Sequence, residues 1–434
     1  MRIKTDRVVY VLMILFLLCS ALVFKIYINQ TELCAIVIWL GASSAFIILR
    51  HLTNTRSIIF CILFAGFFIR ISIIVLEMVL GLQIEHLLNL GDSHAFVDQA
   101  VRMLEHEKVN ATTKYPYYLK VLFYFFGNNI YIVQLINIVL TTIANYVICE
   151  TLVYMRINKQ AVMIVAIVLS AAPFFVIYNT VVLREALYIY LLSRAFALYV
   201  QWIYEKKMSK FVLSCALVLV CAVLHDVYFA VFLAYVMDFS LYLFKRKSGV
   251  GLVTMLVMII VFLSVLKVGR VGYLDYNSLS GALRSIEVVL TRHISAGGNS
   301  LYLKSLNYTG KMWQLILYTP IRMVYFFLSP MPWDCVRIKD IVAFVCDSLL
   351  HLVFLVQSLI LLIAHKRYRI GRMENYREYD RVLVLFCFII YATALVFAWG
   401  TTTAGTAIRH RSSILCIEMA LVALITHRRR ICVR

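Results

Sequence analysis

Residues Ser57–Ile69 read SIIFCILFAGFFI, thirteen positions without a charge or a proline. Comparable runs stand at Val8–Val23 and Val250–Leu266. In lipid, backbone amides must be paired within their own segment, so runs of this kind form helices that cross a bilayer. The rest of the chain agrees. Of 434 residues, 63% are hydrophobic and only 15% charged, too little charge to cover a soluble surface of this size. Spans are expected at 8–28, 32–50, 57–80, 129–153, 160–178, 184–203, 209–224, 227–244, 250–268, 342–364, 382–398 and 412–426. The fold expected is all-α: one polytopic transmembrane bundle over 1–434, with about a dozen spans.

The formal net charge is +20. In a soluble protein this would point to nucleic acid. Here the basic residues fall in short connections on alternate sides of the spans: Arg2, Lys4 and Arg7; Arg50 and Arg56; Arg156 and Lys159; Lys206, Lys207 and Lys210; Lys245–Lys247; Lys366–Arg381; and Arg428–Arg434. Cytoplasmic loops are rich in Lys and Arg. That side is therefore read as cytoplasmic, with both termini on it, and no nucleic-acid partner is expected. The location expected is the cell membrane, plasma or inner. The run after Arg7 lacks a small-residue cleavage site, so it is read as a retained span. The 11 cysteines have neither CxxC pairs nor zinc spacing and read as small buried hydrophobes.

Met312–Leu328 is apolar enough to span, yet it contains Pro320 and Arg322 and runs into Ser329-Pro330-Met331-Pro332-Trp333. It is read as an interfacial or re-entrant helix on the outer side, because proline interrupts helices and Trp suits the headgroup layer. Two long outer loops follow, 81–128 and 269–341. The first holds an amphipathic stretch, Ala95–Glu107, expected to lie on the membrane surface.

The remaining unusual polar residues all fall on this outer side. They are Asp92 and His94 in Gly91-Asp92-Ser93-His94, Arg184-Glu185 at the mouth of a span, His225-Asp226 in a turn, Trp333-Asp334, and Arg409-His410-Arg411 before the last span. Each has an ordinary structural role open to it, as a helix cap, ion pair, turn or headgroup anchor. Together they offer what an outward-facing site needs. Arginine grips phosphate in bidentate fashion, carboxylates take protons from hydroxyls, and aromatic rings stack on sugars. Deeper in the spans, Arg70 and Glu77 share a helix face, and Arg194 with Glu418 or Glu77 is a candidate interior pair.

Several of these stretches resemble the membrane glycosyltransferases of the GT-C class and the related Wzy-like repeat-unit polymerases of capsule, O-antigen and exopolysaccharide. They are Gly91–His94 with an amphipathic helix after it, Tyr115-Pro116-Tyr117-Tyr118, Leu183-Arg184-Glu185, Ser329–Trp333 and Gly405–Arg411. The resemblance covers 57–434 and leaves 1–56 as two additional N-terminal spans. It implies a glycosyltransferase acting on a polyprenyl-diphosphate-linked glycan at the extracytoplasmic face, with Asp92 in the place of the loop carboxylate. The acidic loop follows the third span here, not the first, and Asp92 is followed by Ser93 instead of a second acid. The two additional N-terminal spans account for the first departure, and the second favours the polymerases. Catalytic roles would then fall to Asp92, Arg184 and Glu185. Substrate contacts would fall to His94, His225, Asp226, Trp333, Asp334, Arg409, His410 and Arg411. No metal or other cofactor is implied. The partners implied are the lipid-linked glycan, the bilayer and other polysaccharide-assembly proteins. A flippase of lipid-linked oligosaccharide and a single-sugar transferase are the alternatives.

Overall fold

The structure, a computed structural model, describes residues 57–80, 91–109, 113–244, 308–364 and 374–433, with Ala111, Val253, Leu256 and Leu306 as isolated positions. The spans expected at 8–28, 32–50 and 250–268 lie outside the described residues. Among the described residues, six helices are long and apolar enough to cross a membrane, which gives the protein its transmembrane character. All regular elements described are helical. The chain divides into two compact units, Met1–Tyr190 and Leu191–Arg434.

Unit 1 contains α1 (Ser57–Leu80), α2 (Gly91–Leu104), α3 (Tyr115–Phe126), α4 (Ile130–Tyr154), α5 (Lys159–Ala171) and α6 (Pro173–Tyr178). It also contains the first residues of α7 (Glu185–Glu205). Helices α1, α4 and α5 pack on one another, and α2 packs on α3. The 160–178 stretch is not one continuous helix, as the apolar run suggests. Ala172 adopts an extended backbone (φ −60°, ψ 116°) because Pro173 disfavours the helical region at the residue before it. Pro173 also lacks the N–H that would have bonded the Leu169 carbonyl. That carbonyl and its neighbour are served from other helices instead. Arg70 of α1 donates to Leu169 O (2.8 Å) and Ser170 O (3.3 Å), and Asn145 of α4 donates to Leu169 O (3.1 Å).

The α1–α5 crossing is close enough to need glycine. A Cβ on Gly66 would lie 2.5 Å from Ser170 Cβ and 2.9 Å from its Cα. Because backbone is involved, the two helices would have to separate. Gly66→Ala is expected to cost about 1–3 kcal/mol, read as a lowered melting temperature of the detergent-purified protein. Adding Ser170→Gly should restore much of it. If Gly66→Ala melts with the wild type, the crossing is looser than described.

Unit 2 contains the remainder of α7, then α8 (Met208–Leu224), a 3₁₀ turn at Asp226–Tyr228, α9 (Phe229–Phe244) and α10 (Met312–Leu328). A second 3₁₀ turn at Pro332–Asp334 leads to α11 (Ile338–Ala343), a π-helical turn at Phe344–Ser348, and α12 (Leu349–Ala364). Helices α13 (Glu374–Gly400) and α14 (Ala404–Val433) complete it.

Helix α10 runs antiparallel to α13 and passes only part of it. Trp399 Nε1 donates to Thr319 at 2.8 Å, and Arg322 Nε donates to Ala398 O at 3.2 Å. Phe326 stacks on Phe397 at 5.6 Å, and Phe327 reaches Tyr391 at 6.3 Å. The helix thus enters beside one end of α13 and stops part-way along it, with Pro320 accommodated inside the helix. Arg322 is fully buried, its guanidinium 4.5 Å from the Trp399 ring, so a cation inside this helix is covered by an aromatic face.

At the opposite end of α13 several basic residues gather and are paired. Arg381 bonds Asp238 through Nε (2.9 Å) and Nη2 (2.6 Å), Lys206 meets Glu378 at 2.7 Å, and Arg428 meets Asp380 at 3.2 Å. Tyr199 donates to the same Asp238 carboxylate at 2.8 Å.

Candidate functional site

In unit 1 the expected residues assemble around the α2–α3 pair. Gly91 starts α2, which puts Asp92 in its first turn, where a carboxylate is favoured by the exposed N–H groups. Asp92 and His94 are exposed, and Ser93 between them is buried. One turn beyond Asp92, Phe96 turns inward and meets Tyr115 edge-on at 5.4 Å. Tyr115 donates to Leu183 O at 3.0 Å, and Asn137 donates to Val181 O at 2.7 Å. These bonds fix the segment leading into α7. They set the Arg184 guanidinium over the Phe96 ring at 5.7 Å and near Tyr188 at 5.9 Å. Asp92 and Arg184 are thus tied to the same aromatic residue, one by sequence and one by contact. Glu185 is fully buried in the first turn of α7.

The amphipathic stretch differs in one respect from its expected placement. Phe96 and Ala100 are buried, and α2 packs on α3, so its apolar face is taken up by a neighbouring helix and not offered to lipid.

In unit 2, His225 and His410 come together. His225 ends α8 and opens the 3₁₀ turn, accepting a hydrogen bond from the Val227 N–H at 3.4 Å. Its ring stands edge-on to His410 at 5.6 Å and to Phe397 at 5.7 Å. His410 stacks on Phe397 at 4.4 Å. Both imidazoles are half-buried, as is Asp226. This cluster lies at the end of α13 remote from the paired lysines and arginines.

Arg409, His410 and Arg411 do not precede the last helix; they belong to its first two turns. Thr403 caps α14 by accepting from the Thr406 N–H at 3.3 Å, so the helix begins at Ala404. Successive helical positions point 100° apart, so neighbouring residues take different surroundings. His410 faces Phe397. Arg409 is 6% exposed. Arg411 is fully buried and donates to Phe326 O (2.7 Å), Ser329 O (2.6 Å) and the Asp347 carboxylate. It neutralises the carbonyl end of α10, where a helix carries partial negative charge. Arg411 is therefore a structural residue of the bundle and not an open substrate contact. Trp333 and Asp334 sit in an exposed 3₁₀ turn, with Trp333 Nε1 donating to the Tyr325 hydroxyl at 3.1 Å.

Two buried groups were not singled out from the sequence: Asp347 and His351. The π-helical turn brings Asp347 to Arg411. His351 lies 3.7 Å from Asp347 and, through Nδ1, 2.6 Å from Glu418 of α14. Glu418 therefore has His351 as a partner, and Glu77 accepts from Gln134 at 3.1 Å. Among the described residues no cluster of His, Cys, Asp and Glu could hold a metal ion. No family model, curated protein or solved structure matches this chain.

Proposed function

We propose that the chain is a membrane enzyme of surface-polysaccharide assembly, transferring or polymerising glycan from a polyprenyl-diphosphate-linked donor. The observation that carries this reading is the His225–Phe397–His410 cluster in unit 2, with Asp226 and Arg409 as its chain neighbours. Half-buried imidazoles can donate hydrogen bonds to a diphosphate, whose charge grows as it leaves the anomeric carbon. A carboxylate is needed to take the proton of the attacking hydroxyl. Asp226, half-buried beside His225 in the chain, is assigned that role within unit 2, and Arg184 is assigned to anion binding within unit 1.

The test is replacement of the gene in its own host by variants carrying a tag that reports membrane level. His410→Ala and His225→Ala are each expected to reduce long-chain polysaccharide by at least about a hundredfold with the protein still in the membrane. Normal polymer from the double variant at wild-type protein level would overturn the reading. So would purified protein that moves a lipid-linked glycan across liposomes without forming a glycosidic bond.

A further inference from the structure

Helix α3 carries one charged residue, Lys120, among apolar and aromatic ones, yet only half of it is covered. Tyr115, Pro116, Leu119 and Phe123 are buried, facing α2 and the start of α4. Tyr117, Val121, Tyr124 and Phe125 are 47–67% exposed. At 100° per residue these four fall within about 100° of arc, opposite the buried set. Twelve residues rise about 18 Å, well short of a hydrocarbon core of about 30 Å. The helix is too short to cross and too apolar on its open side to face water.

Charge stands beside this stripe. A cleft of about 480 Å³ between the end of α2 and α3 is lined by Met103, His106, Glu107, Lys108, Tyr117 and Lys120. Glu107 is engaged by Arg102 at 2.6 Å, so its charge is compensated there. Lys114 lies 5.5 Å from the Tyr117 ring at the opening of α3. Tyrosine at a water–hydrocarbon boundary, with lysine stems reaching upward to phosphates, is the chemistry of a headgroup layer.

We propose that the α2–α3 hairpin is a docking surface for the bilayer's headgroup layer. The Tyr117–Phe125 stripe of α3 sinks into the acyl boundary, and Lys108 and Lys120 hold the phosphate of an anionic phospholipid in the cleft. Helix α3, and not α2, is the lipid-facing member of the pair. The proposal does not rest on the enzymatic reading.

The experiment uses the full chain in liposomes of phosphatidylethanolamine and phosphatidylglycerol in equal amounts. Benzoylphenylalanine replaces Val121, Tyr124, Asp98 on the exposed face of α2, or Leu76, an exposed residue of α1, as a positive control. After illumination the adducts are identified by mass. Positions 121 and 124 are expected to yield lipid adducts and position 98 none. Phosphatidylglycerol adducts at 121 and 124 should exceed those of phosphatidylethanolamine by about fivefold. That preference should fall to parity when Lys108→Gln and Lys120→Gln are combined. Lipid adducts at position 76 with protein–protein adducts, or none, at 121 and 124 would overturn the proposal and show a second copy, or water, on the stripe. Parity between the two lipids with both lysines intact would overturn the phosphate assignment.

Discussion

Arg411→Ala is expected to cost the fold about 3–5 kcal/mol. The guanidinium serves Phe326 O, Ser329 O and the Asp347 carboxylate at once, in a place without solvent. Truncation leaves an anion and the carbonyl end of α10 buried beside one another. His351, already shared with Glu418, is the nearest group left to compensate. In thermal unfolding of detergent-purified protein the midpoint should fall by roughly 10 °C. Combining Arg411→Leu with Asp347→Leu should recover most of the loss, because a well-packed apolar pair avoids the desolvation that the ion pair incurs. A single variant that melts like the wild type would mean that Asp347 finds another cation, and the role given to Arg411 would be lost.

Arg70→Met is expected to destabilise unit 1 by about 2–5 kcal/mol. Methionine preserves much of the side-chain volume, so the change isolates the hydrogen bonds to Gly66 O, Leu169 O and Ser170 O. The Leu169 carbonyl is open because residue 173 is proline, and lipid offers nothing in place of a lost donor. Asn145→Leu, which removes one bond to the same carbonyl, should cost less. Limited proteolysis with mass analysis checks this: cleavage in 155–184 should rise sharply for Arg70→Met and modestly for Asn145→Leu. Equal resistance in wild type and Arg70→Met would show that the break at Ala172 needs no support from α1.

Much of the fold was readable from the chain because a bilayer forces apolar runs to be helical. The expected spans at 57–80, 129–153, 184–203 and 382–398 lie within a few residues of α1, α4, α7 and the apolar part of α13. The break at Ala172 was written in Pro173 but hidden inside an apolar run long enough to cross. The start of α14 was misplaced because Arg409–Arg411 look like loop residues when their helix neighbours are unknown. At the candidate site, His225 and His410 were visible as polar residues flanking spans. Asp347 and His351 were not: they are four residues apart on one apolar stretch, but the partners that bury them, Arg411 and Glu418, lie on α14. Sequence spacing reports neighbours along one helix; it carries no register between two.

The wide turn at Phe344–Ser348 joins α11 to α12 without interrupting the helix. Asp347 and Ser348 within it and His351, Phe354, Ser358 and Leu361 after it are covered, with Ser348 donating to Ser329 O and His351 against Glu418. Ile338, Ile341 and Val342 before it, and Val345 within it, are exposed. An additional residue in a single turn advances everything before it by roughly 100° relative to everything after it. Asp347 lies inside that turn, so rewinding it to ordinary α-helical pitch would swing either Asp347 off Arg411 or His351 off Glu418.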